Sequence, residues 1–275
     1  MSKDAYTNDY VPVSEWPNAE AWTDGFDEYL MPQSDELANK TVLLVFEDEA
    51  RVLHTFHDAS SLTWEVKEQG QLFKNGATSG TPGYKAFQVR PAIFLIDFYK
   101  PEHEEEVTLV LNFATGQAIC TISGFYDRIG ERRTKTTFLN AHIDSHHNVK
   151  PFEQTSALVG KHILYRYTPR DCYEHVYLNR GTFTWHCVDG AEKGLADTEQ
   201  TKVLALGEEL YLLFWTETVM PIESVVVVDL KQMRSTGRFF CWDPKAQRMV
   251  HKVFGSYATI LAESNLESVL ASLRR

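Results

Sequence analysis

The feature that most constrains this chain is an internal repeat that spans most of its length. A shift of 121 positions pairs His54 with His175 and Trp64 with Trp185. The same shift aligns residues 37–43 (LANKTVL) with residues 158–164 (LVGKHIL), and a slightly shorter shift aligns residues 93–98 (IFLIDF) with residues 210–215 (LYLLFW). A period of about 120 residues is too long for a solenoid unit, so the repeat indicates two homologous domains.

Each copy contains a succession of short segments that are typical of β-strands. The segments are rich in β-branched and aromatic residues and are separated by Gly, Asp, Asn, Ser and Pro. The predicted strands span residues 42–46, 52–56, 62–66, 94–98 and 107–113 in the first copy and residues 163–167, 173–177, 182–187, 210–216, 225–230 and 237–242 in the second. Sequential strands of this kind predict an all-β fold of two tandem antiparallel barrels of calycin type, each with room for one small ligand.

The repeat divides the chain into five predicted parts. These are an N-terminal arm or lid (1–36), a first barrel (37–125), a linker (126–156), a second barrel (157–262) and a C-terminal helix (263–275). The arm contains Trp16, Trp22 and Phe26 among acidic residues, which is too aromatic for a free tail and predicts packing across a barrel mouth. The last stretch has Leu266 and Leu273 at helical spacing, and we expect it to pack on a barrel or on a second copy in a homodimer.

Charge and composition narrow the range of partners. The chain has 27 basic and 38 acidic residues, and its formal net charge of −11 repels nucleic-acid phosphates and anionic lipid surfaces. No run approaches the roughly 18 apolar residues of a membrane span, and the first residues lack a secretion signal. The 4 cysteines are scattered without a C-x-x-C pair, as is typical of reduced thiols. We therefore expect a cytoplasmic protein without nucleic-acid or membrane partners.

Common catalytic and cofactor motifs are absent from the sequence. It contains no G-x-S-x-G elbow, P-loop, G-x-G-x-x-G fingerprint or H-E-x-x-H pair. Residues 142–147 (HIDSHH) offer metal-ligand residue types, but their spacing matches no recognised site. We therefore expect neither a cofactor nor a metal.

Strand alternation places one histidine of each copy on the same face as apolar and aromatic residues. Tyr173, His175 and Tyr177 share one face of a predicted strand, and His54 occupies the matching position in the first copy. If this face points inward, His175 is a candidate acid or base near neutral pH, with Tyr173 beside it. The neighbouring candidates for substrate binding are Tyr165, Tyr167, Tyr177, Trp185 and, in the first copy, His54. The alternative is that each histidine is a hydrogen-bonded core residue retained from the repeat.

Two further candidates are predicted in the second copy. Trp215 and Glu217 lie two residues apart on one strand face, where a glutamate beside an indole in a dry barrel would have a raised pKa and exchange protons with a ligand. The alternative is a strand-end carboxylate in water. Arg170, in the turn TPRD, is a candidate to bind an anionic group at the barrel mouth, or it is a solvated turn arginine.

The second half resembles a known family. Residues 173–179 (YEHVYLN), 183–199 (FTWHCVDGAEKGLADTE), 210–215 (LYLLFW) and 225–230 (VVVVDL) are similar to the MoaF family, whose members are labelled molybdenum cofactor biosynthesis protein F. The likeness is strongest over residues 157–260 and weaker over residues 20–125. The resemblance implies a pair of lipocalin-like barrels and attaches no catalytic role to individual residues. The first half departs from the pattern, with Leu53 for Glu174 and Phe56 for Tyr177, so we expect the second barrel to be the active one.

Three functions are compatible with these features. In the first, the second barrel is a cofactor-independent lyase or isomerase of secondary metabolism that acts on a small aromatic or polyketide-like molecule, with His175 moving the proton. In the second, the same pocket carries a hydrophobic ligand without turnover. In the third, the protein is an interaction module that assembles through its C-terminal helix. Titratable groups on an aromatic wall favour the first, because a carrier gains little from them.

Overall fold

Two antiparallel sheets account for most of the regular structure in the computed structural model, which describes residues 13–71, 77–217 and 219–273. The strands of the first sheet are β1 (Thr41–Phe46), β2 (Arg51–Phe56), β3 (Leu62–Glu68), β4 (Ser79–Gly80), β5 (Tyr84–Arg90), β6 (Ile93–Lys100), β7 (Glu105–Asn112), β8 (Gln117–Arg128) and β9 (Glu131–Ile143). Their order is β4-β3-β2-β1-β9-β8-β7-β6-β5, and an isolated bridge between Ser61 and Gly83 joins the start of β3 to the start of β5. The sheet therefore curls into a nearly closed barrel.

The second sheet is a closed barrel. Its strands are β10 (Lys161–Arg166), β11 (Cys172–Asn179), β12 (Thr182–Asp189), β13 (Ala196–Gly207), β14 (Leu210–Thr216), β15 (Ile222–Asp229), β16 (Arg234–Asp243) and β17 (Arg248–Glu263). Each strand pairs with its neighbour in sequence, and β17 returns to pair with β10. The all-β prediction is confirmed, and closure removes the exposed edges that an open sheet would present.

The repeat detected in the sequence is visible in the pairing of the strands. His54 in β2 lies directly opposite Trp64 in β3, and His175 in β11 lies directly opposite Trp185 in β12. Burial alternates along β2 and β11, so each histidine is buried on the core face of its sheet. The predicted inward face is therefore found in both halves.

The two barrels pack back to back through a shared apolar cluster. Phe87, Leu95 and Val110 of the first sheet belong to the same cluster as Leu212 and Val227 of the second barrel. Strand β15 is buried along its whole length, because one of its faces lines its own barrel and the other meets the first sheet. This packing joins the two barrels.

The N-terminal arm crosses to the second barrel before the chain enters the first. It contains a 3-10 turn (Val13–Glu15) and a short helix, α1 (Ala19–Trp22). The side chain of Asn18 caps α1 by accepting a hydrogen bond from Ala21 N–H at 2.9 Å. The N–H of Ala19 donates to Asp243 Oδ2 at 3.2 Å, which ties α1 to the end of β16. The rest of the predicted arm, residues 1–12, lies outside the described residues.

Part of the predicted linker is a hairpin of the first sheet. Strands β8 and β9 pair along their full length, and the turn between them contains Ile129 and Gly130 with φ of 53° and 79°. The prediction of a linker over residues 126–156 is therefore wrong up to residue 143, and the first domain extends beyond residue 125. The turn end of the hairpin, residues 126–137, is polar and lacks the apolar alternation on which strand prediction depends, whereas its backbone ladder is complete. Leu139, Ala141 and Ile143 at the other end of β9 do alternate, and they are buried in the core of the first barrel.

The C-terminal helix begins later in the chain than predicted. Helix α2 spans Leu266–Leu273, because β17 continues through Glu263. Leu266 and Leu273 are 60% and 76% exposed, so these two side chains do not pack on a barrel. Its role in a homodimer stays a prediction. Among the described residues, no helix has the length and apolar character to cross a membrane.

Candidate active site

A small cavity of about 30 Å³ lies inside the second barrel beneath the N-terminal arm. Its lining residues come from the arm, the strands and the connecting loops, and they are Trp22, Phe26, Tyr167, Tyr173, His175, Trp185, Glu192, Trp215, Glu217, Met220 and Phe239. A volume of this size holds about one water molecule. The interior of the second barrel is therefore almost filled by its own side chains.

The mouth of the second barrel is covered by two aromatic side chains of the arm. The Trp22 ring meets the Phe239 ring edge-on with centroids 4.9 Å apart, and the Phe26 ring stacks on Tyr167 at 4.5 Å. Both arm side chains are buried. This is the packing that the aromatic content of the arm predicts.

His175 lies at the centre of a cluster of rings. Its ring centroid is 4.7 Å from that of Tyr165, 4.8 Å from Phe183 and 5.7 Å from Trp215. Burial lowers the pKa of His175 to about 3, so the imidazole is neutral at physiological pH. Its Nδ1 has no hydrogen-bond partner among the described residues. These surroundings do not favour His175 as the proton carrier, but a neutral imidazole can still orient a ligand.

A glutamate that the sequence analysis did not select completes the site. The hydroxyl of Tyr173 donates to Glu192 Oε2 at 2.8 Å, and both side chains are buried. Burial raises the pKa of Glu192 to about 7. Glu192 lies between β12 and β13, in a loop that Gly190 and Gly194 turn back toward the barrel with φ of 124° and 87°. Strand alternation cannot identify a loop residue, although its place inside the segment that resembles MoaF is a signal.

Glu217 lines the same cavity, as predicted. Burial raises the pKa of Glu217 well above its usual range, and the nearby carboxyl groups of Glu199 and Glu192 raise it further. Carboxyl groups this close together do not all ionise at neutral pH. The site therefore holds protons that a bound molecule can exchange.

The remaining predicted residues of the second barrel separate into two groups. Tyr167, Trp185 and Trp215 line the cavity. Tyr165 and Tyr177 do not, because their hydroxyl groups bond to each other at 3.0 Å. Burial raises the pKa of both phenols, so they remain neutral. The two tyrosines pack within the ring cluster around His175 and form no part of the cavity wall.

Two predicted binding residues lie away from this cavity. Arg170 is exposed in the turn after β10, where its N–H donates to Thr168 Oγ1 at 3.0 Å. Arg170 does not line the cavity of the second barrel, and its role in binding an anionic group at the mouth stays a prediction. His54 belongs to the first barrel and lines a different cavity.

The described part of the chain contains one group of side chains with the geometry of a metal site, and it lies between the barrels. The ligating atoms of Asp97, Glu106 and His251 lie within 4.8 Å of one another. His251 Nε2 is 2.8 Å from Asp97 Oδ2 and 3.2 Å from Glu106 Oε1. Together with Arg238 and Glu223, these residues form what we call the inter-barrel cluster.

The inter-barrel cluster is explained without a metal. The guanidinium of Arg238 donates to Glu223 and lies 3.5 Å from Asp97, and its positive charge already occupies the space beside the carboxylates. Burial raises the pKa of Glu106 well above its usual range, which keeps this carboxyl group neutral. We assign the cluster to the joining of the two barrels.

Comparison with known proteins gives two family matches. The family model of the MoaF N-terminal domain matches residues 14–127, and that of the MoaF C-terminal domain matches residues 152–264. Protein MoaF of Klebsiella aerogenes is 34% identical over 200 residues, which are 67% of this chain and 75% of that protein. The solved structure of a candidate β-lactamase from Burkholderia vietnamiensis aligns over 38% of this chain and 95% of its own, at 13% identity and a TM-score of 0.33.

Proposed function

The chain belongs to the MoaF family, and we propose that it is a cofactor-independent lyase or isomerase whose active site is the cavity of the second barrel. The proposed substrate is a small aromatic or polyketide-like metabolite. The proposed reaction is a proton transfer that leads to dehydration, decarboxylation or cyclisation. The observation that carries this proposal is the hydrogen-bonded pair of Tyr173 and Glu192 in an aromatic cavity.

Glu192 supports acid–base chemistry because it carries a proton part of the time at neutral pH. A pKa of about 7 leaves roughly half of the carboxyl groups ionised near pH 7, and proton transfer is most efficient when the pKa of the catalyst lies near the operating pH. Glu217, with its higher pKa, remains protonated. Glu192 would take a proton from the substrate and Glu217 would return one, while Tyr173 holds Glu192 in place.

Binding of a substrate requires the arm to move. The cavity of about 30 Å³ cannot hold an aromatic molecule while Trp22 and Phe26 cover it. Displacement of these two rings would open the barrel mouth, and their return would exclude water from the reaction. The arm would thus act as the lid of the proposed enzyme.

The nearly filled interior favours a second candidate function, that of an interaction module. In that case the arm never leaves the barrel, and the aromatic cluster is simply a stable core. A carrier that binds without turnover is the remaining alternative. The three functions predict different results when small molecules are added to the protein: turnover for the enzyme, binding without turnover for the carrier, and no binding for the interaction module.

The test is product analysis with the wild type and a panel of small phenols, cinnamates and polyketide-like acids between about pH 5 and 9. We expect turnover of one of these classes with an inflection near pH 7, which reports the ionisation of Glu192. Glu192→Gln should reduce the rate by about 100-fold or more. Glu208→Gln is the matched control, because the side chain of Glu208 is 81% exposed.

The outcomes separate the three functions. Binding without turnover in the wild type would contradict an enzyme and identify a carrier. The absence of binding in both the wild type and Trp22→Ala, whose lid is opened, would identify the interaction module. Turnover that survives in Glu192→Gln would remove this residue from the mechanism.

A further inference from the structure

The first barrel contains a cavity that the proposed function does not use. Its volume is about 270 Å³, its apolar wall includes Val52, Phe98 and Leu139, and the rings of His54 and Trp64 also line it. We propose that this cavity is a separate binding site for a small, uncharged aromatic alcohol or ketone.

The size of this cavity follows from smaller side chains at repeated positions. The shift of 121 positions pairs Leu44 with Tyr165 and Val52 with Tyr173, so the first barrel has aliphatic residues where the second has phenols. The aromatic side chains of the arm also pack with the core of the second barrel, not the first. An apolar cavity of about 150 Å³ binds benzene. The first cavity has nearly twice that volume and therefore suits about two fused rings.

One polar atom of a wall residue has no partner of its own. Trp64 Nε1 is buried without a hydrogen-bond partner among the described residues, whereas the imidazole of His54 interacts with the backbone of Val52 and Val42. Burial lowers the pKa of His54 to about 4, so its imidazole is neutral at physiological pH. A buried polar group without a partner is unfavourable, and a ligand oxygen that bonds to it removes that penalty. A hydroxyl or carbonyl group on the ligand would meet this requirement.

The charges at this cavity cancel, which selects an uncharged ligand. Lys100 Nζ pairs with Glu105 Oε2 at 2.6 Å and lies 5.2 Å from the centre of the Trp64 ring. An anion would compete with Glu105 and a cation with Lys100, and either would separate the pair. The thiol of Cys120 is a neutral part of the wall, because burial raises its pKa to about 12. His103 is exposed at the rim.

Methyl NMR of the full chain distinguishes binding in the two barrels. The methyl groups of Val52, Val107 and Leu139 report on the first cavity, and those of Leu213 and Val226 report on the second barrel. The probe is 2-naphthol, and naphthalene is the matched compound without a hydroxyl group. We expect saturable shifts of the first set alone, and about fivefold tighter binding of 2-naphthol, because its oxygen accepts a hydrogen bond from a wall donor.

Two substitutions test the role of the cavity and of its donor. Ile122→Trp fills the cavity and should abolish the shifts, with the methyl spectrum verifying the fold. Trp64→Phe removes the donor nitrogen and should bring the affinity ratio of the two probes close to one. Trp185→Phe, which removes the repeated indole of the second barrel, is the control and should leave the ratio unchanged.

Three results would overturn the proposal. They are shifts confined to the second barrel, the absence of saturable binding, and an affinity ratio in Trp64→Phe equal to that of the wild type. These results are independent of turnover, because the proposed catalytic groups Glu192 and Glu217 lie in the other barrel.

Discussion

The two barrels share one repeat but use their inward positions differently. In the second barrel, aromatic side chains surround His175 and leave about 30 Å³, whereas in the first barrel His54 borders about 270 Å³. The cross-strand pairs of histidine and tryptophan are the same in both. The difference therefore comes from the volume of the other side chains and from the arm. The same strand arrangement can therefore enclose either a filled core or a pocket.

The polar groups at matched positions differ as well. A shift of 117 positions pairs Lys100 with Glu217, and both residues line their cavities. Lys100 is neutralised by Glu105, whereas other carboxyl groups surround Glu217. This difference is the basis for proposing an uncharged ligand in the first cavity and proton exchange in the second.

The largest effect is expected where the two barrels depend on each other. Arg238→Met would leave Glu223 buried without its cation, and we expect the free energy of unfolding to fall by roughly 3–5 kcal/mol. Denaturant unfolding measures this change. Arg248→Gln is the control, since its ion pair with Glu20 is exposed and contributes below about 1 kcal/mol. Equal losses in the two variants would show that the inter-barrel cluster does not stabilise the protein.

The second prediction concerns the pH dependence that Glu192 confers on the second barrel. Its folded pKa of about 7 lies above the usual 4.5, so its contribution to stability is complete below pH 4.5 and is lost as the pH rises to about 7. Compared with Glu192→Gln, the wild type should gain up to about 3 kcal/mol between pH 8 and pH 4.5.

The comparison with Glu192→Gln is needed because the two buried histidines act in the opposite direction. The pKa values of His54 and His175 are lowered to about 4 and about 3, so both destabilise the fold as the pH falls below 6.5. The wild type and Glu192→Gln both contain these histidines, so the effect of the histidines cancels in the difference between the two free energies of unfolding. A difference that does not change with pH would refute the raised pKa of Glu192.

A matched pair of leucines tests whether one barrel is filled and the other is hollow. Leu213→Ala creates a new cavity in the packed second barrel, and we expect a loss of about 3–5 kcal/mol. Leu139→Ala enlarges a cavity that already exists, and we expect a loss of about 2 kcal/mol. Denaturant unfolding of the two variants gives the comparison. The reverse order would contradict the difference in packing.

The smallest effect is expected for Glu106, the repeat partner of Glu223. Because the buried Glu106 carboxyl group is neutral, Glu106→Gln should change the free energy of unfolding by less than about 1 kcal/mol. Glu223→Gln should cost more, since it removes the anion that pairs with Arg238. Thermal unfolding of both variants measures the contrast, and equal effects would show that Glu106 is charged.

Much of the candidate site could be predicted because it lies on regular strands. Tyr173, His175 and Trp185 were located by alternation and by the repeat, and all three line the second cavity. Arg170 does not line the cavity, and a turn residue has no periodic constraint on its direction. Glu192 was missed for the same reason, since only the fold of its loop brings it to Tyr173.

The barrels and their inward histidines follow from the sequence. Strand alternation and a long repeat can both be recognised without knowledge of the contacts between distant segments. The turn end of the β8–β9 hairpin does not follow from the sequence, since its polar residues are stabilised by pairing across the sheet. The cavity volumes and the raised pKa of Glu192 also depend on contacts between distant segments. Burial and packing are properties of the assembled core, so the difference between a filled barrel and a hollow one appears only there.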